Sequence, residues 1–320
     1  MSDRSPPSSD RRIVALDVVR GIALLAMASY HAGWDFEFFE YLSQGTTGHG
    51  AWKLYARAIA SSFLLIAGAS LVLAHSRGIR WRSFWRREAQ VAAGAIIISV
   101  ATYFFTPNAF VFFGILHQMA VGGLIALAFI RAPLPVTIAV GLGLIALPWL
   151  FSTSITDPRW LAWIGLAEHP PVSSDLVPIA PWTGVMLIGL AAGRIMLMSG
   201  GWEALRRLND RLKPAWPLAL IGRHSLLFYL LHQPILIALV WLLSQVAPPD
   251  RLAIFDRECR QTCSEVRDEA FCRSYCDCAR DGIAAEGLIE PFLSGNNTPE
   301  QSTRVNEIAG ACSAKIDMAR

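Results

Sequence analysis

The sequence predicts an all-α polytopic membrane protein with about seven transmembrane helices, or eight if one short segment is counted, and a small cysteine-rich helical C-terminal extension. Three observations predict this class. Apolar residues make up 53% of the 320 residues and charged residues only 17%, which is too little polar surface for a soluble globule of this size. Long apolar segments recur along the first 247 residues, and all six cysteines lie after them.

Charge divides the chain at the same place. Residues 1–247 contain 19 Lys and Arg against 12 Asp and Glu, a net charge of +7, whereas residues 248–320 contain 9 against 13, a net charge of −4. The total of +3 is too small for a nucleic-acid-binding protein, and 10% aromatic residues argue against disorder. We therefore expect a cytoplasmic segment over 1–12, a transmembrane domain over 13–247 and an extracytoplasmic tail over 248–320.

A helix needs roughly 20 mostly apolar residues to cross the hydrocarbon core of a bilayer. Helices rather than barrel strands are expected, because the apolar segments are long and lipid-embedded backbone must satisfy its own hydrogen bonds. A short apolar segment, Trp216–Ile221, is the candidate eighth piece, either re-entrant or interfacial. The seven segments long enough to cross are Ile13 to about Ala32, Leu54–Ala74, Ala89–Phe105, Phe110–Ile130, Pro135–Phe151, Ile179–Met198 and His224–Ser244.

The distribution of Lys and Arg between the spans predicts the orientation. Under simple alternation, 13 of these cations fall on one side of the bilayer, whereas the other side has Lys53, Arg57 and Arg159 before the tail. The N-terminus is therefore expected in the cytoplasm and, after seven crossings, the tail outside the inner (plasma) membrane. The lipid bilayer is the expected environment, and a homo-oligomer is compatible with the sequence.

Four ionisable residues follow one face of the first predicted helix. At 100° per residue, Asp17, Arg20, His31 and Asp35 lie within about 60° of one another, on an otherwise apolar segment. Ionisable groups are costly in lipid, so this polar stripe is expected to face the bundle interior or a wet cavity. Asp17 and Arg20 belong to the candidate catalytic set, with Arg20 as the charge that positions the acyl donor or sets the pKa of the base, and an ion pair that fixes the helix entrance is the simpler interpretation. His31 is a candidate general base, since imidazole titrates near working pH.

Arg20, ten intervening residues and His31 resemble the Arg/Lys-x10-His signature of integral-membrane acyltransferases. The string Leu-Asp-Val-Val-Arg-Gly-Ile-Ala at residues 16–23 resembles more closely the heparan-α-glucosaminide N-acetyltransferase catalytic-domain family. The resemblance covers about residues 11–247. Further matching motifs occur, in order, at Ser62–Gly68, Phe113–His117, Gly222–Ser225 and Tyr229–Pro234.

This resemblance implies transfer of an acyl group, typically acetyl, from cytoplasmic acetyl-CoA to a glycan amine or hydroxyl across the membrane. It also implies a catalytic histidine before the second span with an aromatic residue three positions later, and His49 with Trp52 fits that spacing. His31 is favoured over His49 because it shares a buried polar face. The lysosomal members have more spans and a lumenal N-terminal domain, and this sequence predicts neither feature. Heparan sulfate is therefore not the expected acceptor, and an envelope or exported sugar is expected instead. No metal is expected, because the membrane part contains no metal-ligand spacing.

Other polar residues of the spans have two interpretations each. His117, expected about seven residues into the fourth span at the depth of His31, is the second choice as base. His232 is expected near mid-membrane, and a neutral imidazole bonded between helices is the alternative for both. Arg223 and His224 are candidates to contact the phosphates of acetyl-CoA or lie at the membrane surface, and His232 joins them in the candidate donor site.

Two loops are rich in tryptophan. The basic stretch Arg77–Arg87 is expected to bind anionic lipid head groups, with entry of acetyl-CoA as the alternative. Residues 152–178 form the longest outside connection. Their Trp160 and Trp163 either anchor the loop at the membrane interface or form a platform that stacks on a sugar.

The tail contains two Cys-x3-Cys pairs separated by eight residues, which suits an antiparallel helical hairpin. Disulfides persist outside the cytoplasm, in agreement with the predicted side of the tail. Zinc is the alternative because Cys276 and Cys278 are closely spaced, although no histidine lies nearby. The disulfides expected from the hairpin are Cys259–Cys276 and Cys263–Cys272, with Cys278 left for Cys312.

The polar stripe also suits a function of another class, a transporter or permease that uses the stripe as a substrate path. A third hypothesis is an assembly scaffold whose tail carries the function. Within the acyltransferase hypothesis, either the acceptor attacks the donor directly with a histidine as base, or the histidine is acylated first. Binding of acetyl-CoA separates the transferase from the transporter.

Overall fold

A computed structural model describes residues 12–76 and 78–318. The cytoplasmic segment predicted for residues 1–12 lies outside the described residues except for its last residue, and Arg77 of the basic loop also lies outside them. Within the described residues, all regular structure is helical apart from one isolated bridge.

The chain forms two compact units, and each unit combines two stretches of chain. The division falls inside two long helices, α1 (Val14–Phe38) and α10 (Ser225–Val246). The domain boundary predicted at residue 247 stays a prediction. The first unit comprises the chain up to Ser29 and Leu54–Pro234, and the second comprises Tyr30–Lys53 and the chain from Ile235 onward.

The remaining helices follow in chain order. They are α2 (Gly50–His75), α3 (Trp81–Phe105), α4 (Ile115–Ala128), α5 (Leu134–Leu150), α6 (Arg159–Ala162), α7 (Ile179–Met198), α8 (Gly201–Arg207), α9 (Trp216–Arg223), α11 (Arg251–Ser264), α12 (Glu269–Ala285), α13 (Ile289–Leu293) and α14 (Pro299–Met318).

Five of these helices, α1, α2, α3, α7 and α10, are long and apolar enough to cross a membrane. Two shorter apolar helices, Ile115–Arg131 and Leu134–Leu150, occupy the fourth and fifth predicted spans. Together these helices confirm the all-α polytopic class and the predicted order of spans. The additional segment at Trp216 forms α9, whose eight residues are too few to cross alone.

The fourth span begins later than the sequence predicts. Helix α4 starts at Ile115 rather than near Phe110, so His117 lies in its first turn instead of well inside the span. The preceding residues are held elsewhere, because Phe113 pairs with Leu176 in the isolated bridge. Backbone groups that are already paired with another loop cannot join the helix.

Glycines let the helices of the first unit approach closely. A Cβ atom at Gly68 of α2 would overlap the Met186 carbonyl oxygen of α7, and one at Gly189 of α7 would overlap the Leu65 carbonyl oxygen of α2. Small residues are the usual device at helix contacts in lipid, where apolar side chains gain little by leaving the bilayer. Leu187 of α7 is fully buried, so α7 is a central helix of this unit.

Contacts between the connecting segments of the first unit agree with helices that alternate in direction. The Ser174 N–H donates to the Ala109 carbonyl at 2.7 Å, which joins the segment before α7 to the segment after α3. Arg194, near the end of α7, donates to the Ala132 carbonyl after α4. The end that faces the cytoplasm stays a prediction.

In the second unit, the C-terminal ends of α1 and α10 lie side by side. The Tyr41 hydroxyl donates to the Ala247 carbonyl at 2.6 Å. The Arg251 guanidinium lies 3.0 Å from a carboxylate oxygen of Glu40. Two spans whose C-terminal ends share a side run in the same direction, as do the first and seventh of seven consecutive spans.

The tail consists of α11 to α14 around its own apolar core, which includes Phe255, Ile283 and Val305. Asp250 caps the start of α11, because its carboxylate accepts from the Ala253 N–H at 3.1 Å. The predicted disulfides are confirmed as Cys259–Cys276, Cys263–Cys272 and Cys278–Cys312. No cysteine of the described chain is free, which removes the zinc alternative.

Candidate active site

The loop between α1 and α2 has a backbone shape that depends on glycine. Gly45 has a φ of 80°, in the left-handed region that residues with a side chain rarely adopt. A 3-10 turn over Thr46–Gly48 follows and ends at His49. The Gly-Thr run of the sequence therefore forms a defined turn around this histidine. We call residues 43–49 the His49 loop.

Glu37, in the last turn of α1, holds the His49 loop. One carboxylate oxygen accepts from the Gly45 N–H at 2.6 Å, and the other accepts from the N–H and the hydroxyl of Thr47, both at 2.7 Å. The side chain is buried, and such bonds offset its lost hydration. A carboxylate is otherwise unfavourable at a helix C-terminus. Glu37 is not among the predicted site residues, and its one signal in the sequence is an acid that closes an apolar helix before a Gly-Thr run.

His49 is oriented through its Nδ1 atom, which lies 2.8 Å from the Gly45 carbonyl oxygen. A carbonyl oxygen only accepts, so Nδ1 carries the proton of the neutral ring and the lone pair is on Nε2. The residue is exposed, so a substrate can reach Nε2. An oriented ring, a fixed tautomer and an accessible lone pair are the properties of a general base.

His31 belongs to the same unit as His49, and Tyr30 contacts the surroundings of both. The Tyr30 ring lies 5.7 Å from the His31 ring, and its hydroxyl donates to the Thr47 carbonyl at 3.3 Å. Trp52, the aromatic residue three positions after His49, has its ring 6.1 Å from that of Tyr30. The structure therefore brings the two competing histidines and the expected aromatic residue into one unit.

The polar stripe of α1 is shielded along its length. Asp17 and Asp35 are buried, and Arg20 and His31 are partly buried, as expected for groups that avoid lipid. The division between the units falls within this helix, so Asp17 and Arg20 belong to the first unit and His31 and Asp35 to the second.

Near the start of α1, Asp17 joins two arginines. Its carboxylate accepts from Arg12 and, at 3.2 Å, from Arg20, which confirms the predicted ion pair. Arg20 also donates to the Ser70 hydroxyl of α2. Arg87 of α3 lies close enough for its charge to act on Arg20. The arginines outnumber the carboxylates here, even with the glutamate beside Arg87 counted, and such a cluster suits a phosphate.

His117 has both ring nitrogens engaged. Its Nδ1 accepts from the Gly114 N–H at 3.2 Å, so Nε2 carries the proton and faces the Ser99 hydroxyl at 3.1 Å. Ser99 in turn donates to the Val111 carbonyl at 2.6 Å. These bonds tie α3 to the start of α4 and favour the structural interpretation of His117 over a role as base.

His232 is buried in α10, where its Nδ1 lies 2.7 Å from the Tyr229 carbonyl oxygen and its ring stacks on Phe228. Arg223 and His224, between α9 and α10, are exposed and therefore accessible to a phosphate. The donor-binding role of these residues stays a prediction. Over the described part of the chain, no group of three or more His, Cys, Asp or Glu side chains is arranged to hold a metal.

The two tryptophan-rich loops present their rings differently. In the connection over residues 152–178, Trp163 packs on Phe113 with ring centroids 5.8 Å apart, while Trp160 is 72% exposed. Of these two rings, Trp160 is therefore the one that is available to a sugar or to the membrane interface. In the basic stretch, Trp81 and Trp85 lie in the first turns of α3, which begins earlier than the predicted third span, and both are exposed.

Asp175 precedes α7 and meets the start of α4. Its carboxylate accepts from the Ile115 N–H at 2.9 Å and abuts Gly114, where a side chain would overlap it. Burial raises the pKa of Asp175 to about 6, although the bond from Ile115 opposes the rise.

We expect Asp175→Asn to remove a pH dependence of stability. Because the pKa of Asp175 is higher in the folded chain than in the unfolded chain, the folded state binds more protons between about pH 4 and pH 6. The free energy of unfolding therefore falls as the pH rises through that window. Asparagine keeps the acceptor oxygen and does not ionise. Melting curves of the detergent-solubilised full chain should agree near pH 4, with the variant a few degrees more stable at pH 7. A difference that is constant with pH would contradict this.

Apolar helices with a shielded polar stripe define a polytopic membrane protein with polar residues inside its spans. Residues 12–234 match the family model described as heparan-alpha-glucosaminide N-acetyltransferase, catalytic. The match covers more than half of the chain, so the protein belongs to this family and is a membrane acetyltransferase by type. No curated protein and no solved structure matches the chain. The tail lies outside the matched residues.

Proposed function

We propose that the protein transfers the acetyl group of cytoplasmic acetyl-CoA to an amine or hydroxyl of an envelope or exported glycan at the outer face of the inner membrane. His49 is the general base. The hydrogen bond between His49 Nδ1 and the Gly45 carbonyl oxygen carries this assignment, because it leaves the lone pair on the accessible Nε2. The sequence favours His31, whereas the oriented ring favours His49.

The transfer needs a base beside the acceptor. The acceptor nitrogen or oxygen attacks the thioester carbonyl carbon, and its proton passes to Nε2 of His49. The new C–N or C–O bond forms as the C–S bond breaks, and the proton then passes to the CoA sulfur, which leaves as the thiol. In the alternative path, Nε2 attacks the thioester carbonyl carbon and CoA leaves as the thiolate; the acceptor then attacks the acetyl-imidazole, the C–N bond to Nε2 breaks, and the acceptor proton passes to the CoA thiolate.

Acetyl-CoA carries phosphates, and the first unit offers cations for them. Arg20 and Arg87 lie in the cluster near the start of α1, on the side predicted to be cytoplasmic, and guanidinium groups match phosphate oxygens. Asp17 holds Arg20 in place through their 3.2 Å bond. The exposed Arg223 and His224 are further candidates for the same phosphates.

The tail supports the orientation that this reaction requires. Disulfides persist in an oxidising compartment, and the tail contains three. The Gln44 N–H of the His49 loop donates to a carboxylate oxygen of Glu258 in the tail at 3.1 Å, so the loop and the tail share a side. We assign that side to the outside, which leaves the basic N-terminal end in the cytoplasm.

Transfer of radiolabelled acetyl groups tests the proposed function. The purified full chain is incubated with labelled acetyl-CoA and either an amino-sugar oligosaccharide or the same oligosaccharide without the amine. We expect label in an acceptor and an equal amount of free CoA thiol. Glu265→Gln, a change on an exposed part of the tail, is the control and should leave the rate unchanged. Failure to bind acetyl-CoA would contradict the proposal and favour a transporter.

A further inference from the structure

We propose that the cysteine-rich tail positions the His49 loop, with Glu258 as the positioning residue. The proposal rests on the proposed function in that the loop is held for the reaction of His49. It assigns a role to a part of the chain that lies beyond the family match at residues 12–234.

The tail and its linker contact the segment from α1 to His49 at three points. The Gln44 N–H donates to Glu258 Oε1 at 3.1 Å. Arg251, at the start of α11, lies 3.0 Å from Glu40. The Tyr41 hydroxyl donates to the backbone just before the tail at 2.6 Å. These three residues of the segment fall within five positions, so the tail holds a short stretch of chain.

The stretch that the tail holds leads directly to the base. Gln44 is the residue before Gly45, whose N–H is bound by Glu37 and whose carbonyl orients the His49 ring. The Gln44 side chain also donates to the Glu37 carbonyl at 3.3 Å. Glu37 therefore holds the loop from α1 and Glu258 holds it from the tail, with Gly45 and the His49 ring between them.

The His49 loop contains a flexible glycine, so two carboxylates are needed to keep it in one conformation. Gly45 has the widest backbone freedom of any residue type, and confining such a chain is opposed by conformational entropy. Two charge-assisted hydrogen bonds to consecutive backbone N–H groups, those of Gln44 and Gly45, oppose that freedom by holding the two peptide units that flank Gln44. Released from Glu258, the peptide unit between Ser43 and Gln44 can rotate, which loosens the chain directly before Gly45, whose carbonyl orients His49.

The disulfides set the position of Glu258. Cys259, the next residue along α11, is bonded to Cys276 of α12, and one turn later Cys263 is bonded to Cys272. Two bonds between the same pair of helices prevent α11 from turning about its axis relative to α12. The face of α11 that presents Glu258 is therefore set by covalent bonds within the tail.

Hydrogen–deuterium exchange of the full chain tests the contact without relying on activity. Glu258→Ala should raise the exchange rate of the amides of residues 44–47 by about tenfold, as expected for loss of one hydrogen bond to a charged group. Glu258→Gln keeps an acceptor oxygen and should remain near wild type. Glu265→Gln is the matched control. Glu265 lies seven positions after Glu258, is exposed, and makes no described hydrogen bond to the His49 loop. Absence of free thiols in each denatured variant verifies that the tail disulfides have formed.

Kinetics of the same variants test the consequence for His49. Glu258→Ala should lower kcat severalfold and leave the KM for acetyl-CoA unchanged, with recovery in Glu258→Gln. Unchanged exchange of residues 44–47 in Glu258→Ala would overturn the proposal, and faster exchange with unchanged kcat would overturn the positioning role. If His49→Ala retained full activity while Glu258→Ala still loosened the loop, the assignment of His49 would fail and the contact would stand.

Discussion

Replacing His49 by alanine is expected to lower acetyl transfer by about 10²- to 10⁴-fold, the usual contribution of a positioned general acid–base group. The acceptor would then lose its proton to water rather than to an oriented imidazole. The measurement is the rate of label transfer from acetyl-CoA by the purified full chain. Binding of acetyl-CoA should persist, because the base is separate from the cations assigned to the phosphates.

His31→Ala is the matched comparison, since it removes the histidine that the sequence favours. Added imidazole should restore part of the activity of His49→Ala, because the position is exposed and a small base can reach it. Full activity in His49→Ala with loss in His31→Ala would assign the base to His31. His117→Asn should affect stability more than transfer, because its ring joins α3 to α4.

Removing a disulfide of the tail is expected to produce the largest loss of stability. Each native disulfide of a small domain contributes about 2 to 5 kcal/mol, and the contribution grows with the length of chain that it closes. The three bonds close 34, 17 and 9 positions in the order Cys278–Cys312, Cys259–Cys276 and Cys263–Cys272. Paired Cys→Ser variants should therefore destabilise the tail in that order.

Limited proteolysis of the full chain measures this loss, because it reports the opening of the tail while the spans stay in detergent. The variant that lacks Cys263–Cys272 is the internal control with the smallest expected effect. Equal protease resistance in all three variants and the wild type would contradict the prediction. Loss of Cys259–Cys276 should also loosen the His49 loop, because Cys259 adjoins Glu258.

The spans could be predicted because hydropathy over about 20 residues is a local property, imposed by the thickness of the bilayer. The disulfide pairs could be predicted because Cys-x3-Cys places two thiols on one face of a helix, and a short turn brings the second pair opposite the first. The ion pair of Asp17 and Arg20 is equally local, since three positions separate the two residues.

The rest of the candidate site depends on contacts between distant or irregular segments. Helix α4 begins at Ile115 rather than near Phe110 because Phe113 bridges to Leu176, and no local sequence pattern predicts that bridge. Two of the three groups that Glu37 binds are backbone N–H groups, which every residue type except proline has, so these partners leave no mark in the sequence. The hydrogen bond that orients His49 similarly depends on the left-handed backbone of Gly45 rather than on a side chain.

The bond between Gln44 and Glu258 joins residues 214 positions apart. The His49 loop is synthesised soon after the first span, but Glu258, which binds it from the tail, is synthesised only after the last span. In the proposed orientation, the loop is therefore complete only after the whole bundle has been inserted and the tail has been oxidised outside. Under the proposed function, the completion of membrane assembly is itself the step that finishes the active site.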